Sequence, residues 1–162
     1  MRRVISLVTA GVLVLLVTAV QAQAQANTMN FTAALSGGNE VPGVVTGSVG
    51  TATISLNTVT NVVTTAITVY NMPVGTTQSH FHVGAAGVGG PVVVNFTVPA
   101  GISNDYVINS TATATDLIPR AAQGINSWED FIQALVLGNV YVNVHSTANP
   151  GGEIRGQVVR VP

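Results

Sequence analysis

The stretch Val49-Gly50-Thr51-Ala52-Thr53-Ile54-Ser55-Leu56-Asn57-Thr58-Val59-Thr60-Asn61-Val62-Val63-Thr64-Thr65-Ala66-Ile67-Thr68-Val69-Tyr70 decides the fold class. Ala52, Ile54 and Leu56 fall on one side of an extended chain, and Thr51, Thr53 and Ser55 on the other. A period of two with one apolar side is the signature of a half-buried strand. The Asn57 to Asn61 link has the composition of a hairpin loop, and Val62 to Tyr70 returns almost entirely β-branched. Asn71-Met72-Pro73 then ends the run, because proline cannot donate to a ladder.

The same grammar repeats on both sides of this hairpin. Strands are expected at 30–35, 79–83, 92–96, 105–114, 139–145 and 153–161, separated by Gly, Asn or Pro. One segment departs from it. Ser127 is a helix N-cap with Asp130 three residues on, Trp128, Phe131, Ile132 and Leu135 form one apolar stripe, and Gly138 is the stop. The expected architecture is all-β: an antiparallel Greek-key sandwich or barrel of about eight strands, with one short helix over 128–137 as a lid.

The N-terminus predicts export. Arg2 and Arg3 precede a nearly uncharged apolar run over 4–20, and the Ala-Gln repeat ending at Ala26 offers small-residue cleavage sites. Residues 1–26 read as a signal peptide and 27–162 as one mature domain. A retained membrane anchor is the competing reading, since the apolar run approaches the length of a short spanning helix. The mature part carries three arginines, six acids and no lysine, a net charge of −3. That leaves no basic footprint for nucleic acid or anionic lipid. The chain has no cysteine, so it is built without disulfides and offers no thiolate ligand or nucleophile.

The chemistry-bearing feature is the placement of the three histidines, the whole complement of the chain. His80 and His82 flank Phe81, so both imidazoles project from one side of a strand while Phe81 and Val83 take the core side. His145 ends Val140-Tyr141-Val142-Asn143-Val144-His145, in which the valines take one side and Tyr141, Asn143 and His145 the other. Asn149-Pro150-Gly151-Gly152 turns the chain back into Glu153-Ile154-Arg155. A hairpin there sets Glu153 and Arg155 beside Asn143 and His145 on an outward, solvated polar face. Two readings stay open: exposed histidines without a role, or ligands for one divalent ion. Three neutral imidazoles without thiolate suit copper or zinc better than magnesium or calcium. Under the second reading His80, His82 and His145 are the ligands, and Tyr141, Asn143, Glu153 and Arg155 surround them or attract an anion. Affinity is then expected to fall as pH drops through about 6.5, the unperturbed histidine value.

Other chemistry finds little support. No Gly-x-Ser-x-Gly elbow accompanies a serine, the six acids are scattered, and the glycines at 84, 87, 89 and 90 do not join a strand to a helix.

Three stretches carry a family resemblance. Phe31-Thr32-Ala33-Ala34-Leu35-Ser36-Gly37-Gly38-Asn39-Glu40-Val41-Pro42, His80-Phe81-His82-Val83-Gly84 with Gly90-Pro91-Val92-Val93, and the run from Tyr141 to Gln157 resemble the CHRD (chordin-type) domain. The resemblance implies an exported, secreted or periplasmic module acting on an extracellular protein or an envelope component, without a general catalytic activity. A weaker similarity is to copper/zinc superoxide dismutase, through the order His80, His82, His145, Arg155. It implies a copper oxidoreductase as the alternative function, and the expected all-β fold is superoxide-dismutase-like or immunoglobulin-like. The chain departs from that family in having no fourth histidine, no evident zinc loop and no disulfide.

Overall fold

The computed structural model describes residues 27–73, 75–98 and 104–162, so the expected signal peptide lies outside the described residues. These residues form nine strands: β1 (Thr28–Ser36), β2 (Val49–Asn57), β3 (Val62–Tyr70), β4 (Thr76–Val83), β5 (Val92–Phe96), β6 (Tyr106–Ala112), β7 (Val140–Ser146), β8 (Ile154–Gln157) and β9 (Val159–Arg160). Among the described residues one α-helix, α1 (Trp128–Val136), precedes β7. All strand pairs are antiparallel, in the order β5-β4-β7-β8-β1-β2-β3-β6. The two edges β5 and β6 approach each other, which nearly closes the sheet into a barrel. Around that closure β7-β4-β5-β6 is a Greek key, since β7 returns by a long connection to lie beside β4.

The deciding hairpin forms as expected. In β2 and β3 the residues Ala52, Ile54, Leu56, Val63, Ile67 and Val69 are buried and their polar neighbours face out. Asn57 Oδ1 accepts from the amides of Val59 and Thr60, and Asn61 adopts φ 54°, so asparagine chemistry sets the turn. The last expected strand is divided at Val158. β8 and β9 nonetheless keep one antiparallel register along β1, with Ser36 opposite Arg155 and Phe31 opposite Arg160.

The helix is capped as its sequence implies. Ser127 Oγ accepts from the Asp130 amide at 3.2 Å, and Asp130 Oδ2 accepts from the Ser127 amide at 2.9 Å. Gly138 follows with φ 75°. Trp128, Phe131 and Leu135 enter the core, where Phe131 meets Phe81 with ring centroids 5.7 Å apart. Trp128 Nε1 donates to Asn61 O at 2.7 Å, which ties α1 to the turn between β2 and β3.

One part of the barrel is unlike the rest. In β7 every residue from Val140 to Ser146 is buried, and in β4 so is every residue from Ser79 to Val83. A strand buried on both sides needs a second layer over its outer face. Here the connections 37–48, 84–91 and 147–153 bring residues over that face, and the site lies beneath them.

Candidate metal centre

The strand registers carry the histidines into one group. β4 pairs with β7 so that His80 lies opposite Asn143 and His82 opposite Tyr141, and Asn143 lies opposite Arg155 of β8. Phe81 pairs with Val142 and points with it into the core. The polar set therefore shares the side turned away from the core. One imidazole nitrogen from each of His80, His82 and His145 falls within 4.8 Å of the other two. The expectation of a solvated face is corrected: the three histidines are only 6–8% exposed, because the loops roof the face that alternation alone places in water.

Each ring is oriented by a specific partner. His82 Nδ1 donates to Gly90 O at 2.8 Å and His145 Nδ1 to Pro150 O at 2.9 Å. A carbonyl only accepts, so in both neutral rings the Nε2 lone pair is left to face the cluster. His80 Nδ1 lies 3.2 Å from His145 Nε2. Two ligands on a tetrahedral ion with Zn–N bonds of 2.0–2.1 Å stand roughly 3.3 Å apart, so this pair is already at ligand spacing. His82 Nε2 is buried without a hydrogen-bond partner. One nitrogen from each of the three rings lies within 4.8 Å of the others, so closing to tetrahedral spacing takes a contraction of at most about 1.5 Å.

The protonation states favour ligation. Burial lowers His80 to a pKa of about 4, with lesser contributions from His145 and His82. Burial likewise takes His82 to about 4 against the opposing hydrogen bond to Gly90, and lowers His145 against the bond to Pro150. All three rings are neutral at physiological pH, the state a metal requires.

The four residues expected around the triad divide into two roles. Tyr141 stacks on His82 with centroids 4.8 Å apart, and its hydroxyl both donates to Gly90 O and accepts from Gly90 N. Arg155 lies 3.4 Å over the Tyr141 ring and donates through Nη2 to Ala85 O and Val88 O, so it fastens the 84–91 loop. Asn143 donates to Glu40 Oε2 at 3.4 Å. Glu153 does not join the polar group around the histidines. Its carboxylate is enclosed by Thr46, Ser48, Ser146 and Asn149, with Ser146 directed to the opposite side of β7 from His145. Burial alone would raise the Glu153 pKa, but the hydrogen bonds from Thr46, Asn149, Ser146 and Ser48 outweigh it and hold the group ionised.

Glu40 is the site residue that sequence reasoning missed. It follows the turn Gly37–Asn39 and is buried beside Asn143, where burial raises its carboxyl to about 7 despite the nearby Arg155 and Asn143. The available signal was a lone acid beside the Gly-Gly-Asn turn, within a stretch quoted only for its family resemblance.

A near-closed Greek-key barrel whose outer face holds three buried, neutral histidines beneath loops is thus the class of protein defined here. The CHRD domain profile matches residues 31–158, most of the chain, and the chain belongs to the CHRD domain family. No curated protein matches it.

Proposed function

We propose that this chain is an exported, non-enzymatic binding module whose His80, His82 and His145 hold one copper or zinc ion. The observation that carries the reading is the 3.2 Å approach of His80 Nδ1 to His145 Nε2, beside the unpartnered, buried Nε2 of His82. Buried polar atoms are rarely left without partners, and an ion satisfies all three rings together. Metal binding would move the His80 proton from Nδ1 to Nε2 and replace a ring–ring hydrogen bond with two coordinate bonds.

Membership in the CHRD family supports the module reading and a location outside the cytoplasm, as does the basic and apolar N-terminal segment. No helix among the described residues is long and apolar enough to cross a membrane. The partner is an extracellular protein or an envelope component. With only three histidines in the chain, a second, histidine-bridged metal of the dismutase pattern has no ligand set.

Metal content and calorimetric titration of the untagged mature domain test the proposal. One equivalent of copper or zinc per chain, lost when His80, His82 or His145 is replaced by alanine, is the expected result. Absence of stoichiometric binding sinks the reading. A superoxide-consumption assay on the copper-loaded protein decides separately whether the metal is redox-active.

A further inference from the structure

Four buried side-chain atoms among the described residues lack a hydrogen-bond partner: Glu40 Oε1, His82 Nε2, Asn143 Oδ1 and Gln157 Oε1. The first three belong to residues that line one cleft of about 410 Å³, whose walls also include Gly90, Gly151 and Arg155. Three unmatched acceptors around one space point to something that fills it, since each costs free energy unless a donor or an ion reaches it. The metal of the preceding section accounts for His82 Nε2. Glu40 Oε1 and Asn143 Oδ1 remain, two oxygen acceptors on the cleft that opens beside a metal ligand.

Three protein ligands leave a divalent ion with an open position, and in such sites a water or an exogenous molecule completes the coordination. A metal-bound water has two protons to donate and no free acceptor requirement, which is the complement of two unmatched oxygens. Arg155 hydrogen-bonds to neither of these oxygens, both of which lack a partner, and its Nη2 goes to Ala85 O and Val88 O.

We infer that the cleft seats an exchangeable protic oxygen ligand on the metal, water at rest or a small hydroxyl compound, with Glu40 and Asn143 as its hydrogen-bond partners. The inference rests on the three-histidine reading and adds that the site is open. Glu40 is a positioning residue here, acting on the ligand by hydrogen bonding and not on the metal. The seat also gives a reason for a carboxyl to be buried at this place, where a hydrophobic residue would pack at lower cost.

The test uses the mature domain loaded with Cu(II), a paramagnetic ion that speeds the relaxation of water protons when a bound water exchanges with solvent. Copper content is read first in every sample. The parent is expected to hold one copper and to raise the relaxation rate severalfold over the zinc-loaded form. Gly151→Phe is expected to keep the copper and lose the enhancement, because a side chain at this cleft-lining position has open space to extend into. Glu40→Leu is expected to weaken the enhancement and Glu40→Gln, which retains an acceptor oxygen, to restore it. A loaded parent with no enhancement, or a Glu40→Leu variant equal to the parent, overturns the inference and leaves the metal site standing. A parent that takes up no copper overturns the metal site, and the seat with it.

Discussion

His145 is held from both sides of its ring: Nδ1 donates to Pro150 O at 2.9 Å while Nε2 meets His80 Nδ1 at 3.2 Å. Proline's carbonyl thus fixes which nitrogen faces the cluster, and the turn that follows β7 becomes part of the metal centre. The relationship explains why a Gly-rich, Pro-containing loop stands next to the third ligand.

Replacing His145 with alanine is therefore expected to do two things. It removes one of three ligands, so copper or zinc affinity should drop by more than the roughly 10–100-fold that follows loss of an outer hydrogen-bond partner. It also leaves Pro150 O without its donor and opens a hole in a buried layer, a cost of about 1–3 kcal/mol in the metal-free protein. Calorimetric titration and urea unfolding read the two effects separately. Unchanged affinity would remove His145 from the site.

The pH dependence follows from the direction of the shifts. Folded His80 and His82 take up protons near pH 4, whereas unfolded histidines do so near 6.5. Between these values the unfolded chain binds more protons, so this stabilisation is lost as pH falls from 6.5 to 4; His145 adds to it. Glu40 acts oppositely. Its folded carboxyl keeps its proton to about 7 against 4.5, so it contributes stability at low pH that is lost as pH rises through that interval. Several imidazoles outweigh one carboxyl, and the metal-free domain should lose on the order of 3 kcal/mol between pH 6.5 and 4. Urea midpoints across this range measure it, and a flat profile would mean the rings are solvated. Metal affinity, expected from sequence to weaken below about 6.5, should instead hold until pH approaches 4–5.

Periodicity made the barrel legible. Alternation in β2 and β7 places Ile54, Val142 and Val144 in the core, and the Ser127 to Asp130 spacing places the helix. The histidine triad was legible for the same reason, since side follows from parity along a strand. Burial of the outer face was not legible. It depends on loops whose paths are set by long-range contacts such as Arg155 to Val88 O and Tyr141 to Gly90 O. Parity also misled for Glu153, which stands just before β8 and sends its carboxylate to the Ser146 side.

Glu153 is expected to act on the metal centre at a distance. Its carboxylate holds Ser146 at the end of β7 and Asn149 of the loop that carries Pro150, together with Thr46 and Ser48 from the other side. Glu153→Ala leaves those buried donors unmatched and should cost on the order of 3 kcal/mol. Metal affinity should fall as well, because the Pro150 carbonyl that orients His145 loses its anchor. Thermal unfolding with and without zinc tests this. Equal destabilisation in both forms would show that the network supports the barrel and not the site.

Gly152 provides the sharpest test of the Glu40 seat. Its φ of 140° is disfavoured for any residue with a side chain, and a Cβ there would stand 2.5 Å from Glu40 Oε1 and 2.8 Å from Asn143 Nδ2. The close approach is to the two side chains that present the unmatched oxygens. Gly152→Ala should therefore cost roughly 1–3 kcal/mol in backbone strain and push the Glu40 carboxyl from its place beside Asn143. The Glu40 carboxyl, raised to about 7 by its burial, should then titrate nearer 4.5 as it gains water. Carboxyl chemical shifts of the metal-free variant, followed by NMR across that range, measure the displacement. A Glu40 that still titrates near 7 in Gly152→Ala would mean that the glycine is required by the turn alone.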